Sequence, residues 1–275
     1  MENEQTPALI PHPEDAALRE EIARLRAALT ALLLQKDELQ LIQCRRIEAA
    51  YLRRFGALEL KLYETWCGCL RAKRKAKLIR ARHNRRAAAD LEQIEAELDG
   101  ELSVYREELE ARCQKVAGVM EKHEGPGLSP KGARELKELY RQAVKSLHPD
   151  LHPGEDETRA ARLDQAMRAY RTGDLAMLRN ICDSLDGPVE GERAGLEALR
   201  AEADRLRAAV RELDRQLNAI KQVYPYNARP LLEDEALGRA HERELETQLR
   251  ELNRRTARYE AAIEEMLAKE EGDAL

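Results

Sequence analysis

Large rings are scarce in this chain: aromatic residues make up 4% of it, with one Trp and one Phe. A single large globular core draws much of its buried area from such side chains. With 36% of residues charged, none is expected here. Long apolar runs are lacking too, and no stretch approaches the ~20 residues that cross a bilayer. The start, Met1-Glu2-Asn3-Glu4-Gln5, has neither the basic opening nor the apolar stretch of a secretory signal, so a cytoplasmic address is expected. The five cysteines, at 44, 67, 69, 113 and 182, form no regular framework. Cys67-Gly68-Cys69 would set its two thiols about 200° apart on a helix, which favours reduced, packed thiols over a metal or redox pair.

Equipment for catalysis is also wanting. There is no glycine-rich phosphate loop, no spaced Cys or His cluster and no serine set for nucleophilic attack, so no enzyme, cofactor or metal is expected. His148 and His152 stand four apart, but a proline turn lies between them and no further ligand is near in sequence. The net charge of -5 excludes a wholly basic nucleic-acid binder, although not a local patch. What the chain does have is Ala, Glu, Leu, Arg and Lys at helical spacing, the composition of long helices and coiled coil. The expected fold is all-α: long coiled-coil helices and helical hairpins flanking a small helical module.

That module spans residues 129 to 186. Leu136, Leu139, Tyr140, Ala143, Val144 and Leu147 recur at three- and four-residue steps and form the buried stripe of an amphipathic helix. Ser129-Pro130 supplies its N-cap and first helical residue, and Pro149 ends it. After a turn at His152-Pro153-Gly154, the acids Glu155, Asp156 and Glu157 suit the positive end of a second helix. That helix carries Leu163, Ala166, Met167, Ala169 and Tyr170 inward. A short last helix, capped by Asp174, would pack Leu175, Leu178 and Ile181. Two antiparallel helices thus present His148 and Asp150 at their joining loop. Lys137, Arg141 and Lys145 lie at four-residue steps along one face of the first, a stripe able to steer an acidic surface or simply to face solvent.

Tyr140-Arg141, Val144, Lys145, Leu147, His148-Pro149-Asp150, Pro153 and the Leu163 to Ala169-Tyr170 pattern resemble the J domain of Hsp70 co-chaperones (DnaJ-like proteins), over roughly a fifth of the chain. The resemblance implies a loop that contacts the junction of the Hsp70 ATPase domain and its linker and stimulates ATP hydrolysis. Asp150 would pair with a cation of the partner, His148 would add a polar contact, Pro149 would hold the loop's shape, and the stripe Lys137, Arg141, Lys145 would face the partner. The chain departs from the family in two respects. Ser146 stands where a basic residue is common, and no separate first J helix precedes the Tyr140 helix. Either that helix is missing or the preceding coiled-coil helix packs in its place.

Residues 1 to 15, with prolines at 7, 11 and 13, are expected as a disordered leader. Residues 16 to 124 are expected as a coiled-coil and hairpin region. Its first seam runs Leu18, Ile22, Leu25, Leu29, Leu32, with Lys36 on the next position and Leu39 resuming it. Phe55-Gly56 reads either as a bend or as continuous helix. Tyr51, Tyr63 and Trp66 read as seam packing. Residues 71 to 86 hold nine Lys or Arg and no acid. Acids on the following helix, among them Glu95, Glu97, Asp99 and Glu101, would face them across a hairpin; an acidic protein or nucleic acid are the other readings. Asp90 and Gln93 look like a capping box. Gly125-Pro126-Gly127 and Gly187-Pro188 read as linkers.

Residues 190 to 275 show the strongest heptad pattern, Leu196 to Tyr224 and again Leu245 to Met266, broken by Pro225 and Pro230. An antiparallel hairpin is expected, with a parallel dimer as competitor. The leading functional expectation is an Hsp70 co-chaperone or adaptor whose coiled-coil arms bind a client or assembly partner. The alternative is a coiled-coil scaffold with a degenerate module. A nucleic-acid-associated factor acting through residues 71 to 86 is a third, less favoured, reading.

Overall fold

The computed structural model of the chain describes residues 13–85, 90–121, 128–154, 156–185 and 195–273. The expected leader (apart from its last residues), the two glycine-proline linkers, Arg86 of the basic run and Glu155 lie outside them. Every regular element among the described residues is helical, and none is long and apolar enough to cross a membrane.

In chain order these are α1 (Pro13–Asp37), a π-helical segment (Glu38–Gln43), α2 (Cys44–His83), α3 (Leu91–Glu101), α4 (Ser103–Glu121), α5 (Pro130–Leu147), α6 (Glu157–Thr172), α7 (Leu175–Asp183), α8 (Leu196–Gln222), a 3-10 turn (Tyr226–Ala228), α9 (Arg229–Glu233) and α10 (Glu235–Asp273). They form two compact units that interleave along the chain. The first comprises Met1–Arg45 and Gly125–Asn227, and the second Arg46–Glu124 and Ala228–Leu275.

In the first unit α8 pairs with α1, and in the second α10 packs on α2. The ion pairs Glu21–Arg207 and Glu14–Arg200, together with Lys36 donating to Gln216 at 2.9 Å, show that α1 and α8 run parallel. A heptad seam says that a helix has a partner but not which one. The matched seven-residue spacing of Glu14 and Glu21 against Arg200 and Arg207 supplies the selection.

The core of the first unit joins this pair to α5–α7. Leu29, Ala143, Val144, Ala166, Leu178, Ala203 and Leu206 are fully buried in one cluster. α1, from the start of the chain, therefore lies against α5. Local signals position the rest. Ser129 Oγ accepts from Gly132 N at 3.1 Å, Asp156 caps α6, and Asp174 caps α7 by accepting from Met177 N at 2.9 Å. α6 ends at Gly173, whose φ of 75° lies in the left-handed region that glycine adopts freely.

In the second unit α2 continues unbroken through Phe55-Gly56. Phe55 is fully buried, and a Cβ at Gly56 would stand 3.2 Å from Val116 of α4, so the glycine permits close helix packing and makes no bend. α3 turns back along the end of α2, where Arg71 bonds Glu95 and Asp99, Lys75 bonds Glu95 and Arg74 bonds Glu101. Part of the basic run is thus neutralised inside the hairpin, as one of the readings anticipated. Asp90 caps α3 by accepting from Gln93 N at 3.0 Å. The Gln93 side chain instead accepts from Arg82 at 2.9 Å, so it does not close the box. Although the apolar pattern continues across it, the helix breaks at Leu102, where Ser103 Oγ donates to the Gly100 carbonyl at 3.1 Å.

Because Leu29 is fully buried between the α1–α8 pair and the module, Leu29→Ala is expected to cost about 2–5 kcal/mol. Urea denaturation followed by circular dichroism measures it, and amide exchange in α5 should quicken along with that in α1 if the two share one core.

Candidate functional site

The α5 helix closes with His148 N donating to Val144 O at 3.0 Å, after which His148 turns to extended backbone at ψ 129°. Pro149 excludes helical backbone at the residue before it, which explains the turn. The loop that follows is tightly bonded. His148 O accepts from Leu151 N at 3.0 Å and His152 N at 3.1 Å, while His148 Nδ1 accepts from Asp150 N at 3.1 Å. A ring nitrogen 2.8 Å from the Lys145 carbonyl ties His152 back to α5. Leu151 is buried in the core and anchors the loop from beneath.

Pro149 is exposed, and the Asp150 side chain keeps 50% of its surface open, with Oδ2 3.9 Å from His148 Nδ1. Lys137, Arg141 and Lys145 are all exposed on α5. Lys137 Nζ lies 3.4 Å from Glu38, and Arg141 lies 3.9 Å from Glu138. All six residues singled out from the sequence therefore sit on one module, three in the loop and three on the helix leading into it.

Two supports were not visible in the sequence. The first is a tyrosine pair: Tyr140 of α5 and Tyr170 of α6 stack with centroids 4.2 Å apart and planes 11° from parallel. The Tyr140 hydroxyl donates to Asp37 at 2.7 Å and that of Tyr170 donates to Glu38. These adjacent acids stand where α1 passes into the π-helical segment, an irregularity that often accompanies a special site. Burial raises the Asp37 carboxyl above its usual range, partly offset by the Tyr140 hydrogen bond, and burial pushes both tyrosine hydroxyls up. The second support is Arg205 of α8. Its Nη1 donates to the Asp150 carbonyl at 2.9 Å, while Nε and Nη2 hold Glu202, which also receives Arg26 of α1 at 3.2 Å. Tyr140 and Tyr170 carried a signal through the motif, whereas their acceptors lie a hundred residues upstream in what reads as ordinary coiled coil.

The arrangement suits recognition. The loop offers a half-exposed carboxylate on a fixed backbone beside a row of cations. Among the described residues no group of three or more His, Cys, Asp or Glu is placed to hold a metal, and the five cysteines are free thiols. No protein-family model, curated protein or solved structure matches the chain.

Arg205→Ala removes the side-chain donor to the Asp150 carbonyl, and hydrogen exchange at Leu151 and His152 should accelerate while that of mid-α5 amides holds. Burial lowers the His148 pKa from its usual 6.5, so the unfolded chain binds a proton at pH values where the folded one does not. The contribution is complete above 6.5, falls as pH drops toward the lowered value, and levels off below it. Urea midpoints across pH should show this slope, and His148→Gln should remove it. Asp37, raised from 3.8, acts with the opposite sign in the separate carboxylate range, where its burial costs more as pH rises.

Proposed function

We propose that the chain is a J-domain-type Hsp70 co-chaperone or adaptor, in which α5–α7 with α1 recruit a cytoplasmic Hsp70 and stimulate its ATPase through His148-Pro149-Asp150. The remaining helices would serve a client or assembly partner. The observation that carries this reading is the loop itself: a half-exposed Asp150 carboxylate on a backbone bonded from α5 and α8, flanked by exposed Lys137, Arg141 and Lys145. Rigidity matters because ordering a loop at the moment of contact subtracts from affinity. The cationic stripe suits an acidic partner surface and would raise the association rate at low salt. α1, packed on α5, supports the module.

A coiled-coil scaffold with a module that serves packing alone is the rival. The buried Tyr140–Asp37 bond favours it, since that bond commits part of α5 and α1 to internal structure.

The two readings separate in a single-turnover ATPase assay with the cognate Hsp70. The chain should raise the hydrolysis rate and Asp150→Asn should return it to the rate of Hsp70 alone. Exchanging Lys137, Arg141 and Lys145 for Glu should raise the half-saturating concentration by roughly tenfold or more, with most of the difference gone at high salt. Equal rates with the wild-type chain, with Asp150→Asn and with no addition would leave the scaffold.

A further inference from the structure

The second unit is closed at both ends and open in the middle. Tyr51, Phe55 and Leu245 close one end, and Ala76, Ile79, Ile94, Leu98 and Ile263 the other. Between them the seam of α10 continues through Leu249, Leu252, Thr256 and Tyr259, all half-buried. Leu58, Leu62 and Tyr63 of α2 are likewise half-buried, and Trp66 is 37% exposed, a departure from the seam packing expected of it. A groove of about 600 Å³ runs along this stretch, floored by α2 and walled by Arg112 of α4 and by α10 from Leu245 to Arg255.

Its floor is braced from the side. The Arg112 guanidinium lies 4.0 Å from the Tyr63 ring centroid, and Trp66 meets Tyr105 of α4 edge-on at 5.3 Å. Leu245 and Leu252 are one heptad apart on the wall, while Leu62 and Trp66 are one turn apart on the floor. These steps match the anchors of a helix laid lengthwise in a groove. Charge narrows the choice of helix. From 250 to 258 α10 carries Arg250, Arg254, Arg255 and Arg258 against a single acid, Glu251; Arg255 and Glu251 line the groove, and Arg254 and Arg258 are exposed beside it. That acid already accepts from Arg255 at 3.0 Å and lies 3.4 Å from Arg254. Across the groove Arg112 is matched by Glu108 at 2.7 Å, and the acid of the floor, Glu59, accepts the Tyr51 hydroxyl at 2.6 Å and keeps its charge. The positive surplus is that of the 250 to 258 segment, on the α10 rim.

We propose that this groove docks one amphipathic helix of a protein partner, with an apolar ridge on Leu62, Trp66 and Leu252 and a row of acidic side chains along Arg254, Arg255 and Arg258. The site is independent of the Hsp70 reading, since all its residues belong to the second unit. A fourth helix there would complete the packing that α2, α4 and α10 leave unfinished.

The single Trp of the chain lies in the groove and reports on it directly. The full chain is titrated with a synthetic helical peptide bearing leucines at i, i+3, i+7 and i+10 and glutamates along one flank, and with a counterpart whose flank is lysine. The acidic peptide should shift Trp66 emission to shorter wavelength and saturate. Combined Arg254→Glu, Arg255→Glu and Arg258→Glu, at exposed positions whose helicity circular dichroism checks, should weaken it roughly tenfold and favour the lysine peptide. Equal binding of both peptides, no change in emission, or an emission shift produced by concentrating the chain alone would each overturn the proposal; the last would assign the groove to a second copy. Hsp70 stimulation by the triple variant, measured in parallel, bears on the other site alone.

Discussion

The Tyr140 hydroxyl on Asp37 and the Tyr170 hydroxyl on Glu38 are the interactions on which the arrangement of the first unit depends. A partly buried carboxylate gains from a donor, and a buried phenol needs an acceptor; each meets the other's need here. Because both rings stack on one another and both acids are consecutive, the contact sets α1 in rotation and in register against α5 and α6. The apolar contacts of Leu29 and Leu33 would tolerate sliding, whereas paired hydroxyl–carboxylate bonds do not.

From that register the loop acquires its surroundings. With α1 fixed, its parallel partner α8 brings Arg205 to the Asp150 carbonyl, and the chain Arg26–Glu202–Arg205 links both coiled-coil helices to the loop. A planar guanidinium with several fixed donors is well suited to holding a carboxylate and a carbonyl at once. The result is a turn whose backbone is bonded at His148, Asp150, Leu151 and His152 while the Asp150 carboxylate stays half in solvent. In the second unit the same economy of apolar residues has another outcome. Aromatics are few: Tyr51 and Phe55 lie at one end, and Trp66 on the floor of the groove is braced by Tyr105 of α4.

The local features were legible because they are written in neighbouring residues. Ser129, Asp90 and Asp174 announce helix starts, Pro149 announces an end, and the three-four spacing of Leu136 to Leu147 announces the buried face. The hairpin of α2 and α3 was legible for a related reason: a block rich in arginine and lysine and a block rich in glutamate stand close in sequence, and a short connection can only fold one back on the other. The break at Leu102 was not, because the hydroxyl of Ser103 competes for a carbonyl in a segment whose apolar pattern continues across it.

The amino-acid order by itself determined an all-α fold, the limits of the module's helices, and the placing of His148, Pro149 and Asp150 between two of them. Periodicity and capping act within a few residues, so they survive being read one stretch at a time. Only the tertiary structure decided that α8 belongs with α1 and α10 with α2, that Asp37 and Glu38 seat the tyrosines, and that Arg205 holds the loop. A heptad seam is nearly the same on every helix that bears one. Which seams meet depends on the sum of charge matches and polar bonds between segments more than a hundred residues apart, a quantity that no single stretch contains.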